Sequence, residues 1–248
     1  MLGIIGGSGL NRIAELETSR RVTVNTPFGE PSAALTVGRL HGVEAVFLAR
    51  HGDGHTIAPH RINYRANIHA LHAQGVRDVI AVATVGGIHD ELGPGTLLVP
   101  DQIIDYTHSR DSTFFDGVAQ PLQHIDFTRP FHGSLRGRLL QAGTDSGESL
   151  HDGGVYGATQ GPRLETAAEI NRMARDGADV VGMTGMPEAA LAREIGIDYA
   201  MLCVVVNTAA GRGANAEGVA IAEINAVAEA AMRRVAIILG SVVQRYGR

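Results

Sequence analysis

Short apolar runs closed by glycine recur along the chain and alternate with stretches of helical period. Leu2-Gly3-Ile4-Ile5 predicts a buried strand ending in a glycine turn. Ala33 to Leu40 and Val43 to Ala49 flank His41-Gly42 and predict a hairpin. Asp78 to Thr84 predicts a strand running into Gly86-Gly87, and Thr96 to Val99 and Tyr199 to Val206 predict two more. Asn63 to Ala73 carries Ile68 and Leu71 and stops at Gly75, as a helix would. Leu164 to Asp176 sets Ala167, Ile170 and Ala174 on one face, with Gly177 to end it. Pro187 suits the first turn of a helix over Glu188 to Glu194. Ile224, Val227, Ala231, Val235, Ile238 and Val242 form the longest apolar stripe. Strands alternating with helices predict an α/β fold with a mixed sheet. The stretch from about 105 to 130 is polar, aromatic and aperiodic, which predicts a functional or interface loop.

Composition narrows the class. With 248 residues, 44% of them hydrophobic, one compact domain over 1–248 with a sizeable core is expected. Basic residues number 21 against 26 acidic, a net of −5, so neither nucleic acid nor an anionic membrane is an expected partner. No apolar run approaches the ~18 residues of a membrane span, and the first residues lack the basic start of a signal peptide. Cys203 is the one cysteine, which excludes an intrachain disulfide. A cytoplasmic location is expected.

Candidate chemistry gathers at strand ends. Gly6-Gly7-Ser8-Gly9 follows the first strand, where backbone N–H groups and the Ser8 hydroxyl can converge on an anion; an ordinary tight turn is the alternative. A dinucleotide fingerprint would want a third glycine, but Leu10-Asn11-Arg12 follows. Arg50 offers a planar fork of donors suited to phosphate, and His51 adds another group or merely closes the strand. Thr84 and Thr184 are hydroxyls at two further strand ends. In α/β sheets ligands sit outside the strand ends, so one phosphate could collect Ser8, Arg50, His51, Thr84 and Thr184. Glu165 sits where a helix macrodipole favours an acid, and Asn207 ends an apolar strand; each either caps structure or faces a ligand. Histidines number 11, yet none pairs at metal-site spacing with a carboxylate, so no metal is expected.

Taken together, Gly6-Gly7-Ser8-Gly9, Asn25-Thr26-Pro27-Phe28-Gly29, Ala49-Arg50-His51-Gly52, His60-Arg61-Ile62-Asn63-Tyr64, Gly161-Pro162-Arg163 and Gly182-Met183-Thr184-Gly185-Met186-Pro187-Glu188 resemble the trimeric purine nucleoside phosphorylase and methylthioadenosine phosphorylase family. The resemblance covers nearly the whole chain. It implies a mixed sheet forming a distorted barrel flanked by helices, and a homotrimer with active sites at subunit interfaces. It also implies phosphorolysis of a purine nucleoside, with inorganic phosphate as co-substrate and no cofactor. Phosphate contacts would fall on Ser8, Arg50, His51, Thr84 and Thr184, with Met183 under the ribose.

The base pocket separates the branches of that family. Methylthioadenosine phosphorylases carry aspartates after the late strand; here the matching run is Val206-Asn207-Thr208-Ala209. The Asn207 amide can donate to a 6-oxo group and accept from a protonated N7, and Glu165 matches the glutamate that 6-oxopurine enzymes aim at N1–H. Leu164 replaces the usual Phe beside it. Ordinary purine nucleoside phosphorylases hold the 5′-hydroxyl with a histidine where this chain has Ile221, and Val219 and Ile224 nearby are also apolar. These residues either line a greasy 5′ pocket or belong to the core face of the last helix. His124 matches a histidine that the methylthio branch supplies from a neighbouring subunit. A 6-oxopurine base joined to an apolar 5′ end describes 5′-methylthioinosine. The alternatives are methylthioadenosine or general inosine/guanosine phosphorolysis, nucleoside hydrolysis, a dinucleotide-dependent oxidoreductase, and a non-catalytic purine-binding module.

Overall fold

The computed structural model describes residues 1–10, 13–118 and 120–246, with Glu223 described only as backbone; Asn11 and Arg12 lie outside it. The elements in chain order are β1 (Leu2–Gly6), β2 (Glu17–Val22), β3 (Leu35–Leu40), β4 (Val43–Ala49), α1 (Tyr64–Ala73), β5 (Asp78–Gly87), β6 (Leu97–Val99), β7 (Gln102–Asp105), α2 (Gly133–Asp145), β8 (Leu150–Asp152), β9 (Val155–Ala158), α3 (Ala167–Asp176), β10 (Val180–Gly182), α4 (Gly185–Glu194), β11 (Asp198–Thr208) and α5 (Ile221–Tyr246). They form an 11-stranded mixed sheet flanked by helices. Its path runs β2-β3-β4-β1-β5-β10-β9-β7, while β11 branches from β5 and carries β6 and then β8.

Both faces of the central strands are covered, which is why they read as unbroken apolar runs. Val79, Ala81, Ala83 and Val85 join Met201, Cys203 and Val205 in the core under α1 and α4. Ile80 and Val82 join Ala200, Leu202, Val204 and Val206 in the core under α2 and α5. The stripe expected on α5 is there: Ala231, Val235, Ile238 and Val242 are buried, and Ile224 and Val227 pack beside them. The predicted hairpin is β3–β4, turned by His41 and Gly42 at φ 49° and 79°.

One expectation changes. Glu165 does not open α3. Thr166 is its N-cap and Glu169 completes the capping box, so the acid that serves the helix end is Glu169. The helix α4 is bounded at Gly185, but Met186 is non-helical, so its unbroken part runs from Pro187, as the sequence predicts. Among the described residues of 106–130 no regular element follows β7, as the aperiodic sequence predicts, and the segment is anchored: Phe114 is buried, and its N–H and the Thr113 hydroxyl both donate to Glu194.

Candidate active site

The strand β5 pairs with β11 along one edge for its whole length. On the other edge it pairs with β1 from Asp78 to Ala81, and with β10 only at Gly86 and Gly87. Between them no strand among the described residues pairs with this edge, and a cavity occupies the gap. Ser8, Arg50, His51, Thr84 and Thr184 all line it, although they come from different strands and turns. Met183, Leu164, Glu165, Asn207, Ala209, Val219 and Ile224 line the same cavity. Three expected residues do not. The Thr208 hydroxyl turns to the Arg212 carbonyl, 3.2 Å away. Ile221 opens α5 and stays 57% exposed. His124 sits on the exposed segment after β7, outside the cavity of its own chain.

Arg50 is fully buried. Its Nε and Nη2 donate to the two carboxylate oxygens of Glu188, each at 2.8 Å, and Nη1 donates to the Val82 carbonyl at 2.9 Å. The guanidinium thus satisfies a carbonyl of the open β5 edge. Tyr199 donates its hydroxyl to the same carboxylate at 2.7 Å. Burial alone would lower the Arg50 pKa, but the facing carboxylate outweighs it and the net direction is up, so the residue stays charged. N–H groups left over on Nη1 and Nη2 remain for a ligand. Gly7 makes room: a Cβ there would stand 2.6 Å from the Val82 carbonyl and 3.0 Å from Arg50 Nη1.

His51 is 7% exposed, and its Nδ1 lies 2.8 Å from the Ile57 carbonyl. That carbonyl only accepts, so Nδ1 carries the proton and the neutral ring presents Nε2 as an acceptor. Burial, with the Arg50 charge behind it, lowers the His51 pKa to about 4. Between about pH 6.5 and 4 the unfolded chain therefore binds a proton that the native chain refuses, and stability falls as pH falls through that window. From pH 7 to 5 this histidine is expected to remove about 2 kcal/mol. Urea unfolding in phosphate-free buffer at both pH values checks it: the loss should shrink by that amount in His51→Gln.

The acid and the amide of the cavity come from a loop and a bulge. Glu165 precedes the cap of α3 and accepts from the Thr159 hydroxyl at 2.7 Å. On β11 the register moves from Val205 opposite Val85 to Asn207 opposite Gly86. Val206 is the extra residue, and the bulge brings consecutive side chains, Val206 and Asn207, to the cavity. Asn207 Nδ2 donates to the Thr208 carbonyl at 2.6 Å, leaving its second N–H and Oδ1 to face a ligand.

Sequence reasoning left out Glu188, Thr159 and Tyr156. A signal existed for the first: an acid set among Met186, Pro187, Ala189, Ala190 and Leu191 in a helix has no polar face to occupy. Tyr156 is fully buried and its hydroxyl accepts from the Thr184 N–H at 3.2 Å. It needs Gly182, where a Cβ would stand 2.2 Å from that hydroxyl.

Known proteins carry the same architecture. The family model described as Phosphorylase superfamily matches residues 1–244. The chain is 49% identical over 243 residues to a probable S-methyl-5'-thioinosine phosphorylase of Xanthomonas campestris pv. campestris, a match covering 98% of this chain and 97% of that one. It is 47% identical over 215 residues to the 6-oxopurine nucleoside phosphorylase of Pyrococcus furiosus, covering 85% and 80%. A solved methylthioadenosine phosphorylase from Schistosoma mansoni in complex with adenine matches with a TM-score of 0.94 at 31% identity, covering 99% of this chain and 91% of that one. With family, near full-length relatives and fold in agreement, the chain belongs to the phosphorylase superfamily, as an enzyme of the nucleoside phosphorylase type.

Proposed function

We propose that this enzyme catalyses phosphorolysis of S-methyl-5'-thioinosine, giving hypoxanthine and 5-methylthioribose 1-phosphate. One observation carries the reading: a single cavity holds Glu165 and Asn207 without an aspartate, together with Val219 and Ile224 and the full set of anion-binding groups. The acid accepts from N1–H of a 6-oxopurine, which adenine lacks, and the free Asn207 N–H donates to the 6-oxo group. An apolar sulfur substituent gains from burial against Val219 and Ile224, whereas a buried hydroxyl left without a partner costs about 1–3 kcal/mol.

The chemistry follows from placement. Inorganic phosphate sits on Ser8, Arg50, His51, Thr84 and Thr184. The acceptor Nε2 of neutral His51 fits the single proton of HPO4²⁻. As the C1′–N9 bond breaks, positive charge grows on the sugar beside the phosphate dianion, and a phosphate oxygen closes the new C1′–O bond. The purine leaves with the bonding pair and gains the proton that HPO4²⁻ gives up on becoming the sugar phosphate dianion, with Asn207 Oδ1 placed to accept from N7–H. Positioning and charge stabilisation supply the rate.

Rates with methylthioinosine, inosine and methylthioadenosine, with and without phosphate, test the reading. Preference for methylthioadenosine would overturn the base assignment, preference for inosine the sugar assignment, and phosphate-independent base release the phosphorolysis itself. Inosine is the natural second reading, since Glu165 and Asn207 suit it equally. Val219→His is therefore expected to raise the inosine-to-methylthioinosine ratio of kcat/KM about tenfold by giving the hydroxyl a partner.

We also propose a homotrimer working in the cytoplasm, with phosphate as its only co-substrate. Val118 and Leu122, at 91% and 67% exposure, accompany His124 on the segment after β7, which gives a second copy an apolar surface to cover.

A further inference from the structure

Arg110 lies in the aperiodic segment after β7 and does not line the cavity. Its half-buried guanidinium is ringed by acceptors. Nε donates to the Gln160 side-chain oxygen at 3.1 Å, and Nη2 to the carbonyls of Thr159 and Gln160 at 3.1 and 2.8 Å. Nη1 faces the carbonyls of Met183 and Met186 at 2.9 and 2.5 Å and the Tyr64 hydroxyl at 3.2 Å. The Tyr64 ring lies 5.3 Å from the guanidinium carbon.

These acceptors belong to two separate walls of the site. Thr159 and Gln160 begin the loop that leads to Glu165, and Thr159 itself donates to Glu165. Met183 lies between β10 and α4, and Met186 is the non-helical second residue of α4, so the two carbonyls stand on either side of Thr184. The parallel ladder joining the walls ends at Ala158 and Gly182, followed by one bond from the Thr159 N–H to the Gly182 carbonyl. Beyond that point the guanidinium does what a ladder would have done. It also fixes the Met183–Thr184 peptide through its carbonyl, while Tyr156 holds the N–H on the other side. Tyr64 extends the link, because its hydroxyl donates to the carbonyl of Pro59, which lines the cavity.

We infer that Arg110 is a positioning residue that clamps the base-facing wall to the wall carrying Met183 and Thr184, so that base and phosphate are held at reacting distance. The inference deepens the phosphorolysis reading and rests on it. Only a planar fork reaches both walls at once; a lysine ammonium has its donors on one nitrogen and cannot span them.

The test takes the full-length enzyme as wild type, Arg110→Met, Arg110→Lys and Arg110→Gly. A clamp predicts that KM for nucleoside and KM for phosphate both rise about tenfold and kcat falls about a hundredfold in Arg110→Met and Arg110→Lys, since small misplacements cost that much. Free guanidinium ion, and not ammonium, should restore at least part of the Arg110→Gly rate. A merely structural role predicts unchanged KM values and a rate lost in proportion to the unfolded fraction seen by circular dichroism. That result, or wild-type constants in Arg110→Lys, would overturn the clamp. Calorimetric binding of phosphate and of hypoxanthine to the same variants carries the comparison independently of which nucleoside turns over. A wild-type enzyme that needs no phosphate would instead overturn the reaction.

Discussion

Glu188→Ala should destabilise the protein by about 3–5 kcal/mol, the usual cost of stranding one member of a buried ion pair. Arg50 and Glu188 are both fully buried, so no solvent is at hand to take over the carboxylate's role. Tyr199 would lose its acceptor in the same stroke. Burial and the Glu188 charge hold the Tyr199 phenol well above its ordinary pKa in the wild-type protein. Glu188→Gln keeps the volume but removes the charge and turns one of the two accepting oxygens into an NH2 group facing an Arg50 N–H, so its stability should fall between wild type and Glu188→Ala. Urea unfolding of the three proteins at pH 7 measures the losses. A cost below about 1 kcal/mol for the alanine variant would show that something other than the pair holds the guanidinium. Phosphate should recover part of the lost stability in Glu188→Gln, because the anion supplies the charge that Arg50 then lacks.

Asn207→Asp should lower kcat/KM for methylthioinosine at least a hundredfold, the usual loss when one donor to a developing charge is removed. The carboxylate has no N–H for the 6-oxo group and would repel it. A 6-amino group is a donor, so activity on methylthioadenosine should hold or rise, and the ratio of the two substrates should shift by at least the drop in methylthioinosine. The neighbouring contact gives an internal control. Asn207 Nδ2 donates to the Thr208 carbonyl, which also accepts from Asn215 Nδ2 at 2.5 Å, so the turn keeps one amide after the substitution. Competition between the two nucleosides in one reaction reads the ratio directly. An unchanged ratio would remove Asn207 from base recognition.

The central strands and the longest helix were legible because both rest on repeating burial. Ile4, Ile80, Leu202 and Val235 sit where an apolar residue at the right period must sit. Peripheral elements carried no such mark. β2 reads Glu-Thr-Ser-Arg-Arg-Val and is held by hydrogen bonds to β3 rather than by apolar burial. α2 does bury Leu135, Leu139 and Ala142 at helical spacing, but Gly133, Gly137 and Gly143 interrupt the propensity. Gly143 has its own reason, since a Cβ there would stand 2.7 Å from the Leu150 side chain.

The cavity was legible for a different reason. Hydroxyl, guanidinium and imidazole groups at strand tips converge because strand tips do. The apolar positions Val219 and Ile224 meet it as expected, whereas Ile221 between them does not, since counting fixes a neighbourhood and not a direction. Glu188 and Arg110 escaped notice because their partners are distant in sequence. Arg50 and Glu188 are 138 residues apart, and Arg110 reaches 73 residues to the Met183 carbonyl.

The break in pairing along β5 also limits how this enzyme could be made more heat-resistant. Continuing β1 or β10 across the gap would give the Val82 carbonyl a conventional neighbour and evict Arg50 from its seat. Robustness of the scaffold and turnover compete there for one stretch of backbone. Thermostable versions would have to look elsewhere, to the capped ends of the outer helices or the polar border strand, where tightening leaves the substrate's seat open.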